Sequence, residues 1–223
     1  MDVNEAINRR MSIRAFKPDP VPQGILKEIM RLGQRAPSWA NTQPWEFAVV
    51  TGSKLKQIQD GFIAKGLEPS HTDVARPPEI PEPYASRIRA LPPINRPSRP
   101  EERESRRIKN FKHYGAPAVI YLLIERSFLY QPKGINVWAI YDCGSAVQNI
   151  MLAATSHGLG TIALAQAVIY CDVVRKVLEI PESRLIALGI AIGYPDGDNP
   201  ANQNQSGREP LDNISRWYGF EGV

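Results

Sequence analysis

Apolar positions recur along the chain in two rhythms. Spacings of three and four mark helices, and short unbroken apolar runs mark strands. Val3, Ala6 and Ile7 predict a short helix over 2–10. Pro18, Pro20 and Pro22 punctuate an extended piece. Ile25, Leu26, Ile29, Met30 and Leu32 then share one face of a second helix over 22–35. Ala36 to Pro44 is rich in turn formers. Phe47 to Val50 reads as a buried strand closed by Thr51-Gly52, and Ser53 is placed to cap a helix over 54–64. A charged helix is expected over 101–112 and a second buried strand from Ala118 to Ile124. The segment 137–157 predicts a long central buried helix, apolar almost all round and stopped by Gly158. Thr161 to Ala167 is short and apolar. Asp172 is placed to cap a helix over 173–179, and Leu185 to Gly193 reads as a third buried strand before Tyr194-Pro195.

The stretch 66–100 breaks these rhythms. Nine prolines from Pro69 to Pro100 exclude long regular elements. Tyr84, Ile88 and Leu91 give it something to pack with, so it is expected to form an ordered lid or rim. With the helix that follows, the excursion spans 66–112 inside a single domain of 1–223. There are no internal repeats. The expected fold is α+β, a small central mixed or antiparallel sheet sandwiched by helices.

Composition narrows the class. Of 223 residues, 43% are hydrophobic and 22% charged, which excludes disorder. Cys143 and Cys171 lack metal or CxxC spacing. No apolar run is long enough to span a bilayer, and the first residues do not read as a secretory signal, so a reducing cytoplasm is expected. The net charge of +4 favours anionic ligands. Its densest run, Arg103, Arg106, Arg107, Lys109 and Lys112, is interleaved with Glu101, Glu102 and Glu104. That mixture reads as a solvated helix with internal ion pairs rather than a nucleic-acid patch. Trp217, Tyr218 and Phe220, in a short polar tail, need a surface on the body or on another subunit.

Protein nucleophiles and metals find little support. His71, His113 and His157 are scattered, and no GxSxG elbow or phosphate-cradling GxxxxGK[ST] loop is present. Gly158-Leu-Gly160 follows a helix rather than a strand. An enzyme without its own reactive group takes one from a cofactor. In Arg9 to Phe16, alternation puts Arg10, Ser12 and Arg14 on one face of an extended segment. Two guanidiniums and a hydroxyl suit a phosphate and a polarised ring edge; the same residues also read as a basic strand edge facing water. Arg35 to Phe47 is a rigid turn whose amides and tryptophans suit a flat heterocycle, or simply a helix stop followed by a strand start.

Taken together, these segments resemble the nitroreductase family. RRMSIRAF is similar to its RRSxRxF start, and APSWANTQPWEF to APSxxNxQPWxF. QNIMLAATSHGLGT is similar to QNxxLAAxxxGLGT, IAIGYP to IxxGYP and REPL to RxPL. Five motifs fall in the family's order between residues 9 and 211. The resemblance implies an intertwined homodimer with FMN at the interface, NAD(P)H as electron donor, and ping-pong two-electron reduction of nitroaromatic or quinone-type acceptors. It implies that Arg10 and Ser12, with Met11 between them, bind the FMN phosphate together with Arg208. Arg14 would lie at the N1 and O2 edge. Pro37, Ser38, Trp39, Asn41 and Gln43 would come from the second subunit. Ala163, Leu164, Ala165 and Gln166 would run past N5.

Trp39 departs from the small residue common in the family and is a candidate substrate contact. Tyr84, Arg87 and Arg89 face either a carboxylated acceptor or solvent. Trp138 is either a pocket aromatic or core. A sister branch that removes halogen by one-electron steps places a hydroxyl against N5. Ala163 to Ala165 offer none, although Thr161 is close. A flavin sensor without turnover and a nucleic-acid-binding protein are the readings from other classes.

Overall fold

The computed structural model describes residues 1–75, 77–92 and 97–220. Helix α1 (Val3–Arg9) is capped by Asp2, whose carboxylate accepts from the Glu5 N–H at 2.8 Å. Helix α2 (Gln23–Gly33) leads through a tight turn to β1 (Trp45–Thr51) and α3 (Gly52–Lys65). The Pro-rich excursion contributes α4 (Tyr84–Arg89) and α5 (Pro100–Phe111). Its residues 76 and 93–96 lie outside those described. Strand β2 (Ala118–Glu125) runs into the one-turn α6 (Arg126–Leu129) and a hairpin of β3 (Tyr130–Gln131) and β4 (Gly134–Ile135). Then come α7 (Val137–Ser156), β5 (Gly160–Leu164), α8 (Cys171–Leu178), β6 (Arg184–Gly193) and α9 (Leu211–Ile214).

The main sheet has the order β1-β2-β6-β5, and every pair is antiparallel. Strand β2 is apolar on both faces because both are covered. Val119, Tyr121 and Leu123 pack with Leu55, Ile58 and Phe62 of α3 and Val174 of α8. Ala118, Ile120, Leu122 and Ile124 pack with Leu26 and Ile29 of α2 and with Cys143, Val147 and Ile150 of α7. Each such side chain, taken from water, contributes about 1.5–3 kcal/mol before entropy is charged against it. The sandwich expected from the pattern is therefore present, with β1 and β5 as its edges.

Some local expectations are corrected. β1 is an edge strand with Val50 as its one buried residue, so its apolar run is not a buried strand. Helix α3 starts at Gly52 behind Thr51, and Ser53 is not its cap. Helix α8 starts at Cys171, so Asp172 sits in its first turn and pairs with Lys65 at 3.0 Å. Of the run 161–167, only Thr161 to Leu164 is strand, within β5 on the open edge of β6; residues 165–168 turn into a 3-10 helix. Helix α7 is buried along Ala139, Cys143, Ala146, Val147 and Ile150 but leaves Val137, Trp138, Ile140 and Tyr141 exposed. Trp138 is 56% exposed, which rules out core packing within one chain. Among the described residues, no helix is long and apolar enough to cross a membrane.

Two features have measurable consequences. A Cβ at Gly33 would lie 2.4 Å from Cγ1 of the fully buried Ile150, so α2 and α7 touch through a glycine. Gly24, in the same helix, has nothing within 4 Å. Gly33→Ala is expected to destabilise by about 1–3 kcal/mol, and Gly24→Ala to stabilise by about 0.5 kcal/mol. Urea unfolding of both variants checks the opposite signs. His113 is fully buried, with Nδ1 unpartnered and Nε2 3.4 Å from the Tyr121 hydroxyl. Burial pulls its pKa down from 6.5 to about 4. The unfolded chain therefore takes up the proton first as pH falls. Stability is full above pH ~6.5 and declines towards pH ~4 by about 1.4 kcal/mol per unit. His113→Gln should flatten this slope in denaturation curves recorded between those limits.

Candidate active site

The N-terminal motif is laid against the open edge of β5. Ile13 N–H donates to the Thr161 carbonyl at 3.0 Å, and Ser12 forms a parallel bridge with Thr161. Ile13 is buried, while Arg10, Met11, Ser12 and Arg14 remain partly exposed. The side chain of Asn202 clamps the segment from beyond. Its Oδ1 accepts from Arg14 N–H at 2.7 Å, and its Nδ2 donates to the Ala15 and Asp196 carbonyls at 2.8 Å each.

Arg9 pairs with Glu5 at 3.0 Å, whereas Arg10 lies near the cation Arg208. Arg10 is held below its ordinary pKa first by partial burial and then by the charge of Arg208. Arg208 curls onto its own backbone, donating to the Ser206 and Gly207 carbonyls at 2.8 and 2.9 Å. Gln205 donates to the Asn8 carbonyl at 2.9 Å and holds this part of the tail beside α1. Among the described residues, neither Arg10 nor Arg208 has a carboxylate partner. Two repelling guanidiniums beside a hydroxyl form a site that an oxyanion would relieve. Arg14 is pushed down mainly by burial, which Tyr114 partly opposes; its Nε is buried without a partner, and its Nη1 donates to the Ser12 carbonyl at 3.3 Å.

Strand β5 turns an open shelf towards this cluster. Ala163 and Ala165 are exposed, Leu164 is buried and Gln166 is partly exposed. Small side chains at the exposed positions leave room for a planar ring to approach the backbone. Thr161 has the same parity as Ala163 but is covered by the Ser12 bridge, and its Oγ1 is buried.

The turn after α2 is strained. Ala40, Asn41 and Gln43 have φ of 48°, 58° and 46°, values costly for residues other than glycine. Ser38 Oγ accepts from Gln43 N–H at 3.0 Å, and Gln43 Nε2 donates to Asn41 Oδ1 at 3.1 Å. Asp142 of α7, itself buried, accepts from Trp39 N–H at 3.0 Å. This leaves the indole of Trp39 59% exposed. Pro37, Ser38, Trp39, Asn41 and Gln43 thus form one preshaped loop, on α7 rather than on the shelf of their own chain.

In the excursion, Arg87 donates to Glu209 at 3.1 Å and lies 5.4 Å from the Tyr84 ring centroid. Arg89 pairs with Glu82. The two arginines therefore have intrachain acidic partners, and α4 is fixed next to Arg208. The basic helix behaves as expected in part, with Arg99–Glu102 and Arg107–Glu104 pairs. Cys143 and Cys171 are buried, which pushes both thiols up to about 12 and leaves them inert as nucleophiles. Among the described residues, no group of His, Cys, Asp or Glu is arranged to hold a metal ion.

Asp142, Asn202 and Tyr114 were missed from the sequence. Asp142 carried a signal, since it is the lone carboxylate in an otherwise apolar helix. Asn202 and Tyr114 meet Arg14 only through tertiary contacts and carried none.

Comparison with known proteins points to one family. The model of the "Nitroreductase family" matches residues 7–194. A "4-nitrobenzoate reductase" of Nocardioides sp. strain LMS-CY is 29% identical, with 92% of this chain and 85% of that protein covered. The "Nitroreductase NfnB" of Mycolicibacterium smegmatis is 29% identical over 95% and 90% of the two chains. The crystal structure of an "FMN and NADPH-dependent nitroreductase NfnB" from Sphigopyxis sp. strain HMH superposes with a TM-score of 0.88, at 30% identity, over 99% of this chain and 100% of that one. With motif order, sheet topology and a family match across most of its length in agreement, the chain belongs to the nitroreductase family.

Proposed function

We propose that this protein is an FMN-dependent oxidoreductase that uses NAD(P)H to reduce nitroaromatic or quinone-type acceptors. The observation that carries the reading is that the tail, held at the Asn8 carbonyl by Gln205, brings Arg208 near enough to Arg10 to lower its pKa, two residues from Ser12 and its bridge to Thr161 of β5. Arg10, Ser12 and Arg208 would hold the FMN phosphate, and Arg14 the electron-rich edge of the ring. The backbone of Ala163, Leu164, Ala165 and Gln166 would flank it. Two relatives whose names state FMN and NADPH support this choice of cofactor and donor. Bound FMN supplies two-electron chemistry, passing electrons from NAD(P)H to the acceptor. With a nitro group, two electrons and two protons release one oxygen as water and leave a nitroso product.

The residues of the chain supply position and environment. Arg10 and Arg208 neutralise a dianionic phosphate. A cation at position 14 favours negative charge on the ring edge nearest it. The exposed part of β5 carries no hydroxyl side chain, which supports two-electron reduction over the dehalogenating alternative.

We further propose a homodimer in which the Trp39 loop of each chain completes the site of the other. Two surfaces support this. Val137, Trp138, Ile140 and Tyr141 form a large exposed apolar face at the start of α7. Trp217 and Phe220 stack edge-to-face at 5.7 Å in the tail while both stay exposed. Exposed apolar surface of this extent marks an interface. Trp39 and Trp138 would then border the acceptor, with the excursion of 66–112, including Tyr84 and Arg87, as its rim.

Two experiments test this reading. Arg10→Ala and Arg208→Ala should each weaken FMN binding by about 10- to 100-fold, the worth of a charge-assisted hydrogen bond, while riboflavin, lacking the phosphate, should respond little. Equal losses for both ligands in flavin-fluorescence titrations would remove the phosphate assignment. Tyr141→Arg should yield a monomer that does not retain FMN; sedimentation velocity with flavin absorbance detection reads both. A monomeric wild type with full flavin occupancy would sink the dimer.

A further inference from the structure

Helix α4 has no buried residue, and Tyr84 and Ile88 are exposed along it. Apolar packing therefore does little to hold it, and it belongs to the least anchored part of the fold. Within 77–92 the hydrogen bonds are local. Ala85 and Ala90 donate to the Pro81 and Ser86 carbonyls at 3.1 and 3.0 Å, and Ser86 N–H donates to Glu82 at 3.1 Å. Among the described residues, one hydrogen bond leaves this segment: Arg87 Nε donates to Glu209 Oε2 at 3.1 Å, between residues 122 positions apart. The Tyr84 ring, 5.4 Å from the Arg87 guanidinium, keeps that cation over its own helix.

The segment 204–209, which carries Arg208, is held just as lightly. Among the described residues its backbone makes no backbone–backbone hydrogen bond. Arg208 donates to the Ser206 and Gly207 carbonyls, inside the segment itself. Side chains on either side of Arg208 therefore fix its course. Gln205 donates to the Asn8 carbonyl at 2.9 Å, at the root of the N-terminal arginine segment. Glu209 Oε1 accepts from Asn213 Nδ2 at 2.7 Å, while its Oε2 holds Arg87. Glu209 thus joins the rim to the tail at the residue next to Arg208. The RxPL motif leaves this position open, so the contact is a feature of this chain rather than of the motif.

We propose that Glu209 is a positioning residue that couples the rim helix α4 to Arg208, so that the cofactor phosphate and the rim are held together or released together. The proposal rests on the flavoprotein reading above, in which Arg208 meets the phosphate. Fixing Arg208 on an anion restricts the segment around it and keeps Glu209 where Arg87 can meet it. By linkage the reverse holds: the Arg87–Glu209 pair favours the course of the segment that presents Arg208 to the phosphate. The two side chains are 41% and 30% exposed, so water and salt screen the pair and its effect is modest.

The first test needs no variant. Trypsin can cleave after Arg89 in α4, and mass spectrometry reads that site. Saturating FMN should slow this cleavage more than saturating riboflavin, which lacks the phosphate; equal protection by the two would overturn the coupling. Glu209→Gln keeps an acceptor for Asn213 and removes the charge that faces Arg87. At saturating FMN it should lose the phosphate-dependent part of the protection, and keeping that part would also count against the proposal. The second test is a double-mutant cycle on FMN affinity. Glu209→Gln and Arg87→Met should each weaken FMN by about two- to fivefold, and the double variant by no more than either single one. Losses that multiply, or no loss in either single variant, would show that the pair does not act on the cofactor as a unit. Failure of the underlying reading is recognisable separately, as a wild-type protein that binds neither FMN nor riboflavin in fluorescence titrations; that result would end this proposal too.

Discussion

Ile13 rests so closely on β5 that a Cβ at residue 160 would lie 2.5 Å from its Cγ1. Glycine at that position lets the N-terminal segment reach hydrogen-bonding distance of Thr161. The parity of the segment then follows without further choice. With Ile13 turned inward, Ser12 and Arg14 face the other way, and Arg10 with them. A shift of one residue would bury the guanidiniums and expose Ile13. The anion site and the direction of Arg14 both hang on this one seam.

The electrostatics of the site run against folding stability. Burial holds both Arg10 and Arg14 below their ordinary pKa, and at Arg10 the charge of Arg208 adds to the cost. A chain selected for stability alone would place a carboxylate beside Arg10 and Arg208. Elsewhere this chain does so: Asp73 accepts from Arg175 at 2.6 Å and from the Ile186 N–H at 2.8 Å, inside the fold. Cations repelling one another around an open shelf are therefore readable as a ligand's missing counter-charge.

A second strained feature is the Trp39 loop, packed on α7. The Trp39 loop holds successive residues in left-handed conformations, and the buried Asp142 fixes its backbone. Helix α7 is apolar almost all round in sequence yet buried along only one side in this chain; in the proposed dimer the loop of one copy would lie over the shelf of the other, beside that bare face.

Local order fixed much of this protein before any tertiary contact. Helix and strand positions follow from periodicity, the outward set Arg10, Ser12 and Arg14 from alternation, and the turn at 36–44 from its prolines. The family motifs were legible in order. Tertiary structure alone decided the rest. It set which apolar runs became edges: among the described residues β1 is an edge strand with one side unpaired, and 160–164 became a strand because β6 offered a free edge. It tied Arg87 to Glu209, where the sequence allowed either an acceptor contact or solvent. It brought Asn202 and Tyr114 to Arg14. The reason is physical: periodicity encodes which side of an element is apolar, whereas the meeting of polar side chains distant in sequence is fixed only when the elements carrying them pack.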